Sequence, residues 1–401
     1  MTSTRVNAIA LVLLLTIAGS ALAQTTGSVS GTVKDASGGA LPGVIITVQN
    51  LDSLALRTST SDDSGVYGVA LLPPGRYKVT AELSGFRTEE RNDLALQVSQ
   101  NVRFDVVMGV GAIEESVQVV ARAPLVDTRD AAMGQVVDQV KIVELPLNGR
   151  NFRDLGLIAP GVQQMTQGNV LQDRGGGLNI NGARIYDNNY LLDGFNNNDE
   201  TTGEIMTFPS ADSIQEFKVL GASYGAEYGF SVGGIISLIT KSGAARYSGN
   251  AFGFYRNERF DAKNFFATEK APLDRKQFGG TFGGPLWGKK AFFFGSYERT
   301  DLLQGVTLSA TVPNDAQRLG NFSGLAAVVR DPLTGQAFAG NVIPTARLNP
   351  VGLKMLEMWP QANAADPLRN FVHSPNLVDD VHVGSLKVDY NLSNADAFSM
   401  R

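Results

Sequence analysis

The spacing of the β-type segments after residue 241 is the feature that most constrains how this chain can fold. The connections between the predicted strands are long, short, long and short in turn. The predicted strands cover residues 247–256, 277–284, 291–300 and 383–390, and a last one starts at residue 397. Brief turns at one end and extended loops at the other are typical of an antiparallel barrel in an outer membrane, whereas a soluble meander has no reason to keep that order.

The last two of these strands alternate between apolar and polar residues, as a strand with one face in lipid requires. Residues that can face lipid are Leu386, Val388, Tyr390, Phe398 and Met400, and residues that can face the lumen are Lys387, Asp389, Ser399 and Arg401. The earlier strands alternate poorly, since Phe292, Phe293 and Phe294 are consecutive. We place these rings near a membrane interface, in an aromatic girdle; a strand buried on both faces is the alternative.

No segment beyond the N-terminal region approaches the ~20 apolar residues of a transmembrane helix. The most apolar run, 235–239, is interrupted by Ser237 and flanked by Gly234 and Lys241. A chain inside a bilayer must bond all its backbone amides internally, so without such helices it crosses only as a closed barrel. We therefore interpret residues 245–401 as the first strands of an incomplete antiparallel transmembrane β-barrel, and expect the sequence to be a fragment.

Composition excludes several classes of function. The chain has 34 basic and 39 acidic residues, with a formal charge of -5 and no basic run, so it is not expected to bind nucleic acid. It has no cysteine and only two histidines, His373 and His382, which leaves no catalytic triad, no zinc site and no cofactor site to assemble. Residues 283–289 fit G-x-x-x-x-G-K, but Lys290 follows where a nucleotide-binding loop needs Ser or Thr. We predict that the chain is not an enzyme.

Residues 1–23 have the pattern of a cleaved signal peptide. Arg5 precedes an apolar stretch from Ala8 to Ala18, and Ala21-Leu22-Ala23 is the small-x-small site that a signal peptidase accepts. A membrane anchor is the alternative, but the apolar run is too short to span a bilayer. The mature chain is expected to begin at Gln24.

Residues 24–108 are predicted to form a β-sandwich of six or seven strands, of the Ig-like or transthyretin-like kind. Strand-type runs cover 28–34, 43–49, 56–61, 65–71, 76–82 and 94–107, and Asp/Gly turns and Pro73-Pro74-Gly75 separate several of them. The runs GTVKDASGGALPGVIITV and TSDDSGVYGVALLPPGRYKVTAELSGF resemble the carboxypeptidase regulatory-like domains. That resemblance implies a non-catalytic module.

Residues 109–123 are predicted to be a hinge that contains an edge-pairing strand. Acidic residues there precede alternating valines, a pattern suited to pairing with the edge of another chain. The segment consists of Glu114, Glu115, Ser116, Val117, Gln118, Val119, Val120 and Ala121. It resembles the TonB box of TonB-dependent receptors, and the last strand of the sandwich or a plain linker is an equal alternative.

Residues 124–244 are predicted to be an α+β plug domain that opens with a short helix over 131–143. The runs LPLNGRNFRDL and SADSIQEFKVLGASYGAEYGFSVGGIISLITKSG resemble the plug of TonB-dependent receptors, in the Oar-like branch where a regulatory-like sandwich comes first. Paired glycines such as Gly233 and Gly234 let backbones approach closely in a compact domain. The Arg-Gly-Pro of siderophore receptors is missing after the strand at 217–219, so the substrate does not follow from the resemblance.

The resemblance implies an outer-membrane receptor of roughly 22 strands around a plugged lumen, with the N-terminal domain in the periplasm. It further implies active uptake of a scarce solute (a glycan, peptide or metal chelate), driven by a TonB-type energy-transducing partner, with lipid around the barrel. The residues predicted for an apical solute loop are Arg184, Tyr186, Asp187, Asn188, Asp193, Asn196, Asn197, Asp199 and Glu200. The alternative is an outer-membrane adhesion or carbohydrate-binding protein that transports nothing.

Acidic residues of the same loop invite a cation site as a further alternative. Asp193, Asp199, Glu200 and Glu204 offer oxygen ligands of the kind that hard cations prefer. Their spacing fits no EF-hand loop, so we favour a solvated loop and predict no metal.

Overall fold

The architecture is given by a computed structural model. It describes residues 26–111, 116–118, 133–165 and 177–401, apart from 202, 204, 226–227, 230, 264–269, 289, 306 and 394–395. The predicted signal peptide and most of the predicted hinge lie outside these residues. Among the residues described, no helix is long and apolar enough to cross a membrane.

The N-terminal domain is a sandwich of two β-sheets. Its strands are β1 (Gly27–Asp35), β2 (Ile45–Asn50), β3 (Leu56–Thr60), β4 (Val66–Leu72), β5 (Gly75–Glu82), β6 (Thr88–Leu96), β7 (Asn101–Arg103), β8 (Val106–Met108) and β9 (Ser116–Gln118). One sheet has the order β4-β1-β7, with β8 also paired to β1, and the other has the order β3-β2-β5-β6-β9. Alternate residues of β1 are buried, and they meet the inner faces of β2 and β5 in one apolar core.

The predicted single strand at 94–107 is wrong, because the chain turns within it. Ser99 has a φ of 54°, a left-handed conformation that few non-glycine residues adopt and that no regular strand accommodates. The Gln97 N–H donates to the side-chain oxygen of Gln100 at 2.9 Å and closes the turn. The chain thus leaves the β6 sheet and continues as β7 in the opposite sheet.

The region that was predicted to be a plug, called the plug from here on, contains a five-stranded mixed sheet and a separate hairpin. Its strands are β10 (Met133–Asp138), β11 (Val162–Met165), β12 (Gly177–Ile180), β13 (Asn189–Leu192), β14 (Phe195–Asn196), β15 (Ile214–Ala222) and β16 (Ile235–Thr240). The main sheet has the order β10-β15-β16-β13-β14, and β11 pairs with β12. Short 3-10 turns at Asn148–Arg150, Phe152–Ile158, Ile185–Asp187 and Ala211–Ser213 connect these strands. Every residue of β16 is buried, as a central strand covered on both faces requires.

The predicted helix over 131–143 is wrong in its first half. Residues 133–138 form β10, which pairs antiparallel with β15, and helix α1 covers only Gln139–Glu144. Pairing buries Val137 in the plug core, and Asp138 then caps the helix by accepting from the Lys141 N–H at 3.0 Å. The long-range partner strand overrides the weak helical pattern.

The predicted role of the paired glycines agrees with the geometry. A Cβ at Gly234 would lie 2.5 Å from the Ile180 Cδ1, and one at Gly233 would lie 2.5 Å from the Asn188 Oδ1. Neither position has room for a side chain, so glycine is what allows β16 to start against the β12 hairpin and the Asn188 side chain.

The remaining long strands form one five-stranded sheet. They are β17 (Ser248–Asn257), β18 (Leu273–Trp287), β19 (Ala291–Gly305), β22 (Asn376–Asn391) and β23 (Ala397–Met400), hydrogen-bonded in the order β17-β18-β19-β22-β23. The connection at 288–290 is a tight turn, whereas the connection at 306–375 holds β20 (Leu308–Ala310), α2 (Asp315–Arg318), α3 (Pro350–Glu357) and β21 (Phe371–His373). The strands are longer than predicted, but the order of long and short connections is the predicted one.

The aromatic residues of β19 divide between its two faces. Phe292 and Phe294 are 1% and 6% exposed, so the interface position predicted for these two rings is wrong. Phe293 is half-buried and its ring lies 5.7 Å from that of Phe282, which stacks on Tyr247 at 5.9 Å. An aromatic cluster on one face is therefore built by side chains from β18, β19 and residue 247.

The chain divides into two compact units. The first comprises the sandwich, the plug, the chain from there to Phe252, and the strand portions 279–298 and 382–401. The second comprises residues 253–278 and 299–381. Within the second unit, the Arg318 guanidinium donates to the carbonyl oxygens of Pro313, Leu356, Trp359 and Pro360 and joins α2 to the end of α3.

Candidate coupling and binding sites

The predicted partner strand lies on the edge of the sandwich where it is described. Ser116, Val117 and Gln118 form β9 and pair in parallel with Thr88, Glu89 and Glu90 of β6. This is the position of a last sandwich strand, one of the alternatives that the sequence left open. Glu114, Glu115, Val119, Val120 and Ala121 lie outside the described residues.

The start of the predicted hinge also runs beside the beginning of β6. The Arg87 N–H donates to the Gly109 carbonyl at 2.9 Å, and the Gly111 N–H donates to the Gly85 carbonyl at 3.3 Å. Phe86 and Val110 form an antiparallel bridge. Backbone hydrogen bonds thus hold the chain against the sandwich just before the candidate partner strand.

The predicted apical residues occupy one stretch of the plug but differ in exposure. Arg184, Tyr186, Asn196 and Glu200 are exposed, and Asp187, Asp193 and Asp199 are half-buried. The half-buried acids bond locally: Asp187 accepts from the Arg184 N–H at 3.1 Å, and Asp199 accepts from the Thr201 N–H at 2.7 Å. The exposed four are the ones that a solute could contact.

Asn188 and Asn197 are structural residues, each 3% exposed. The Asn188 amide donates to the Leu178 carbonyl at 2.7 Å and accepts from the Gly234 N–H at 3.0 Å. The Asn197 amide donates to the Thr207 carbonyl and accepts from the Thr207 N–H, at 2.9 and 3.0 Å. In this loop the two amide side chains therefore bond to backbone N–H and carbonyl groups, as a neighbouring strand would do in a sheet.

Asp193 anchors the end of β16 rather than standing free in solvent. Its carboxylate accepts from the Thr240 N–H at 2.8 Å and from the Thr240 hydroxyl at 2.6 Å. The Lys387 and Arg401 cations lie 3.5 and 3.6 Å away. Lys387 therefore faces the plug, as its predicted position on the polar face of β22 requires, while Leu386 is 60% exposed.

The residues that the sequence analysis missed lie where the sandwich meets plug strand β15. Glu216 and Lys218 are 6% and 8% exposed, on the same face of β15. Both oxygens of Glu216 accept from the Val98 N–H, at 3.0 and 3.1 Å, and the Lys218 Nζ donates to the Val98 carbonyl at 3.2 Å. Two opposite charges thus bind the two polar groups of one residue.

Burial raises the pKa of Glu216 from 4.5 to about 7. The Val98 N–H and the Lys218 charge oppose that rise, and the Asp138 charge adds to it. The sequence does contain a signal for this site. Glu216 and Lys218 are two residues apart in an otherwise apolar strand, so they share one face of it, and charged groups there need either water or a polar partner.

A buried ion pair of the plug lies beside the first barrel strand. Arg150 pairs with Asp212, and the Arg150 guanidinium carbon lies 4.8 Å from the centre of the Phe252 ring. The other Asp212 oxygen accepts from the Asn250 amide at 2.6 Å. Burial also lowers the pKa of Lys241, although the nearby Asp212 charge opposes that shift.

The residues rejected as catalytic or metal-binding have other contacts. His382 Nδ1 lies 2.7 Å from the Tyr297 hydroxyl, and the His373 ring stacks on Phe371. The G-x-x-x-x-G-K match falls in the turn between β18 and β19, with no helix after it. Across the described part of the chain, no three His, Cys, Asp or Glu residues cluster as metal ligands; Glu204 is not among those residues.

Two families match parts of the chain. Residues 28–109 match the carboxypeptidase regulatory-like domain, and residues 239–401 match an outer membrane beta barrel domain. The mainly β architecture, the sandwich and the barrel strands agree with the predicted fold class. Residues 239–401 thus carry an outer membrane beta barrel domain behind an N-terminal regulatory-like domain, and these matches place the protein in the outer membrane.

The particular resemblance is to TonB-dependent receptors of the Oar type. The chain is 28% identical over 296 residues to the TonB-dependent transporter Oar of Myxococcus xanthus, covering 70% of this chain and 27% of that protein. The chain therefore spans about a quarter of the length of the curated relative. The prediction that the chain is no enzyme agrees with these matches.

Solved structures also overlap in part with the chain. The siderophore receptor PirA of Acinetobacter baumannii is 20% identical, with a TM-score of 0.34 over 44% of this chain and 28% of that one. PirA of Pseudomonas aeruginosa is 17% identical, with a TM-score of 0.31 over 47% of this chain and 32% of that one.

Proposed function

We propose that this chain is the N-terminal part of a TonB-dependent transporter that takes up a scarce solute across the outer membrane. The observation that supports it is the order of parts: a strand suited to edge pairing precedes a plug, and the plug's sequence leads directly into barrel strands. A TonB-type partner pulling residues 114–121 would load the plug through β10, the next strand that the structure describes.

Recognition by the partner requires the strand to be available. β9 already pairs with β6, so a partner that adds its own strand to residues 116–118 competes with the sandwich for one row of backbone groups. In this proposal the sandwich-bound strand is the resting form and the partner-bound strand is the working form.

Solute binding is proposed for the exposed members of the predicted apical loop. Arg184, Tyr186, Asn196 and Glu200 combine a cation, an aromatic ring, an amide and a carboxylate, which suits an oxygen-rich solute better than an apolar one. Tyr186→Ala should weaken solute binding without lowering the melting temperature, because the side chain is 47% exposed.

The transport proposal is tested in the complete gene. Residues 114–121 are replaced by a Gly/Ser segment of equal length, which keeps the spacing of sandwich and plug. Uptake of radiolabelled ferric chelates, oligosaccharides and peptides is then measured beside binding to the purified barrel. The expected result is lost uptake with retained binding of the transported probe. Undiminished uptake refutes the TonB proposal, and probe binding without any uptake in the native protein favours adhesion.

A cross-link tests the competition for β9. Glu89→Cys with Val117→Cys joins a registered pair of β6 and β9, and Lys34→Cys with Val107→Cys is a matched parallel pair of β1 and β8. The chain contains no cysteine of its own. Oxidising the first pair should stop binding of a purified TonB carboxy-terminal domain, and reduction should restore it. If both pairs leave binding unchanged, β9 is not the recognised strand.

A further inference from the structure

Three turns at one end of the sandwich contact the plug or Ala245, the residue that follows it. These are the β2–β3 turn with Asp52, the β4–β5 turn with Pro74, and the β6–β7 turn with Val98 and Ser99. The Asp52 carbonyl accepts from the Ala245 N–H at 2.9 Å, and the Pro74 carbonyl accepts from the Gln215 amide at 3.2 Å. All three turns lie at the same end because β2, β4 and β6, the strands before them, all run toward that end, and β3, β5 and β7 run away from it.

The β6–β7 turn contributes the most buried contact. Val98 is fully buried, and both its N–H and its carbonyl bond to side chains of the plug. Glu216 and Lys218 hold its N–H and carbonyl, and the Tyr228 hydroxyl donates to the Ser99 hydroxyl oxygen at 2.9 Å. The plug therefore presents the Glu216 carboxylate as an acceptor and the Lys218 ammonium group as a donor. Their spacing matches that between the N–H and the carbonyl of a single residue.

The chemistry of this contact differs from that of the two domain cores. Each core is apolar and closed within its own domain, whereas the contact between them includes, beside the buried Val98, several hydrogen bonds and two charged side chains. Separation returns Glu216 and Lys218 to water, which recovers their hydration energy and offsets the lost hydrogen bonds. A polar contact between two self-contained cores is typical of bodies that separate and rejoin.

We propose that the three-turn end of the sandwich is a reversible docking surface for the plug, with Glu216 and Lys218 as the pair that recognises the peptide groups of Val98. In the docked state the sandwich and plug move together. In the undocked state each keeps its core, and β15 exposes a charged face. The regulatory-like domain then restrains the plug while it is docked and releases it when it undocks.

Exchanging the two charges tests recognition separately from folding. Glu216→Lys with Lys218→Glu keeps one cation and one carboxylate two residues apart on β15, but points an ammonium group at the Val98 N–H and a carboxylate at the Val98 carbonyl. Hydrogen exchange of the Val98 amide is measured in the complete protein in detergent. Lys141→Met is the matched control for a plug lysine, since Lys141 is exposed on α1.

The exchanged pair should speed exchange at Val98 by about tenfold or more, while the amides of Val48 and Val219 keep their native rates, because both cores remain folded. The second variant, Lys218→Met, removes one hydrogen bond to Val98 and should give a smaller increase of roughly threefold to tenfold. Native exchange at Val98 in both variants overturns the proposal. Exchange that rises at Val48 and Val219 as well, in both variants, also overturns it, since the charges then support folding rather than docking.

Discussion

Replacing Glu216 by glutamine should tighten the docking of the sandwich at alkaline pH and abolish its dependence on pH. The wild-type carboxyl has a pKa of about 7 when docked, against an ordinary value of 4.5. A raised carboxyl pKa means that the docked state binds the proton more tightly than the open state. Docking is therefore strongest below about pH 4.5, weakens as the pH rises to about 7, and stays weak above it.

The expected magnitude follows from these two pKa values. Their difference corresponds to about 3 kcal/mol, or roughly 300-fold in the docking equilibrium. Between about pH 5 and about pH 8 the docking equilibrium constant should fall roughly 70-fold. This is less than the full effect, because at about pH 5 the open-state carboxyl is already partly ionised and at about pH 8 the docked-state carboxyl is still partly protonated. Glutamine resembles the protonated carboxyl and still accepts from the Val98 N–H. Glu216→Gln should therefore dock, at every pH, as strongly as the wild-type protein docks at low pH.

Protection of the Val98 amide from hydrogen exchange measures this equilibrium, after correction for the intrinsic pH dependence of exchange. The charged groups around Glu216 are Lys218 on the same strand and Asp138 on the neighbouring one. Asp138→Asn is a useful control, because it should lower the Glu216 pKa slightly and shift the transition to lower pH. A wild-type protection factor that is flat between about pH 5 and pH 8, or a glutamine variant that follows the wild type, refutes the reasoning.

Three other variants test contacts within the first domains. Arg150→Ala leaves Asp212 buried without its cation and should lower the free energy of unfolding of the plug by about 3 to 5 kcal/mol, whereas Arg256→Ala removes an exposed pair and should leave the melting temperature unchanged. Gly31→Ala should cost the sandwich about 1 to 3 kcal/mol, because its Cβ would overlap the Phe104 carbonyl; Gly68→Ala, whose Cβ meets nothing within 4 Å, should stay within about 0.5 kcal/mol. Asp193→Asn keeps an acceptor for the Thr240 N–H but not for its hydroxyl, and should cost about 1 to 3 kcal/mol in urea unfolding; equal stability would show that Asp193 is no anchor.

The parts of the fold that were predictable are those in which local pattern and final environment agree. β22 alternates in exposure over residues 376–387, and Leu386 and Tyr390 are exposed as predicted, whereas Val388 is half-buried like its polar neighbours Lys387 and Asp389. The tight turn at 288–290 and the Asp/Gly turns of the sandwich also follow from local chemistry.

The wrong predictions come from partners that are distant in the sequence. Residues 133–138 have a weak helical pattern, and only pairing with β15 makes them a strand. Phe292 and Phe294 looked like interface residues because a run of three phenylalanines does not reveal which two share the buried face. Glu216 and Lys218 have a function only because a turn more than a hundred residues earlier in the chain covers them.

The candidate solute loop was predictable as a region but not residue by residue. Its asparagines and aspartates all suit exposed turns, yet Asn188 and Asn197 are buried and Asp193 is tied to Thr240. A short polar side chain serves equally well as a surface group or as a substitute for a missing backbone bond. Only the surrounding backbone decides between the two.

β10 is one of the two edge strands of the plug sheet, and it is also the first plug strand that the structure describes. A force that pulls on the chain from its N-terminal side would act first on β10, which is hydrogen-bonded to β15 alone in this sheet. The hydrogen bonds between β10 and β15 can then break one after another, while those that join β15, β16 and β13 stay intact. The edge strand can therefore separate from the plug sheet while the other four strands stay paired. Because the exposed edge of β15 keeps its shape, β10 can pair with it again when the load is removed.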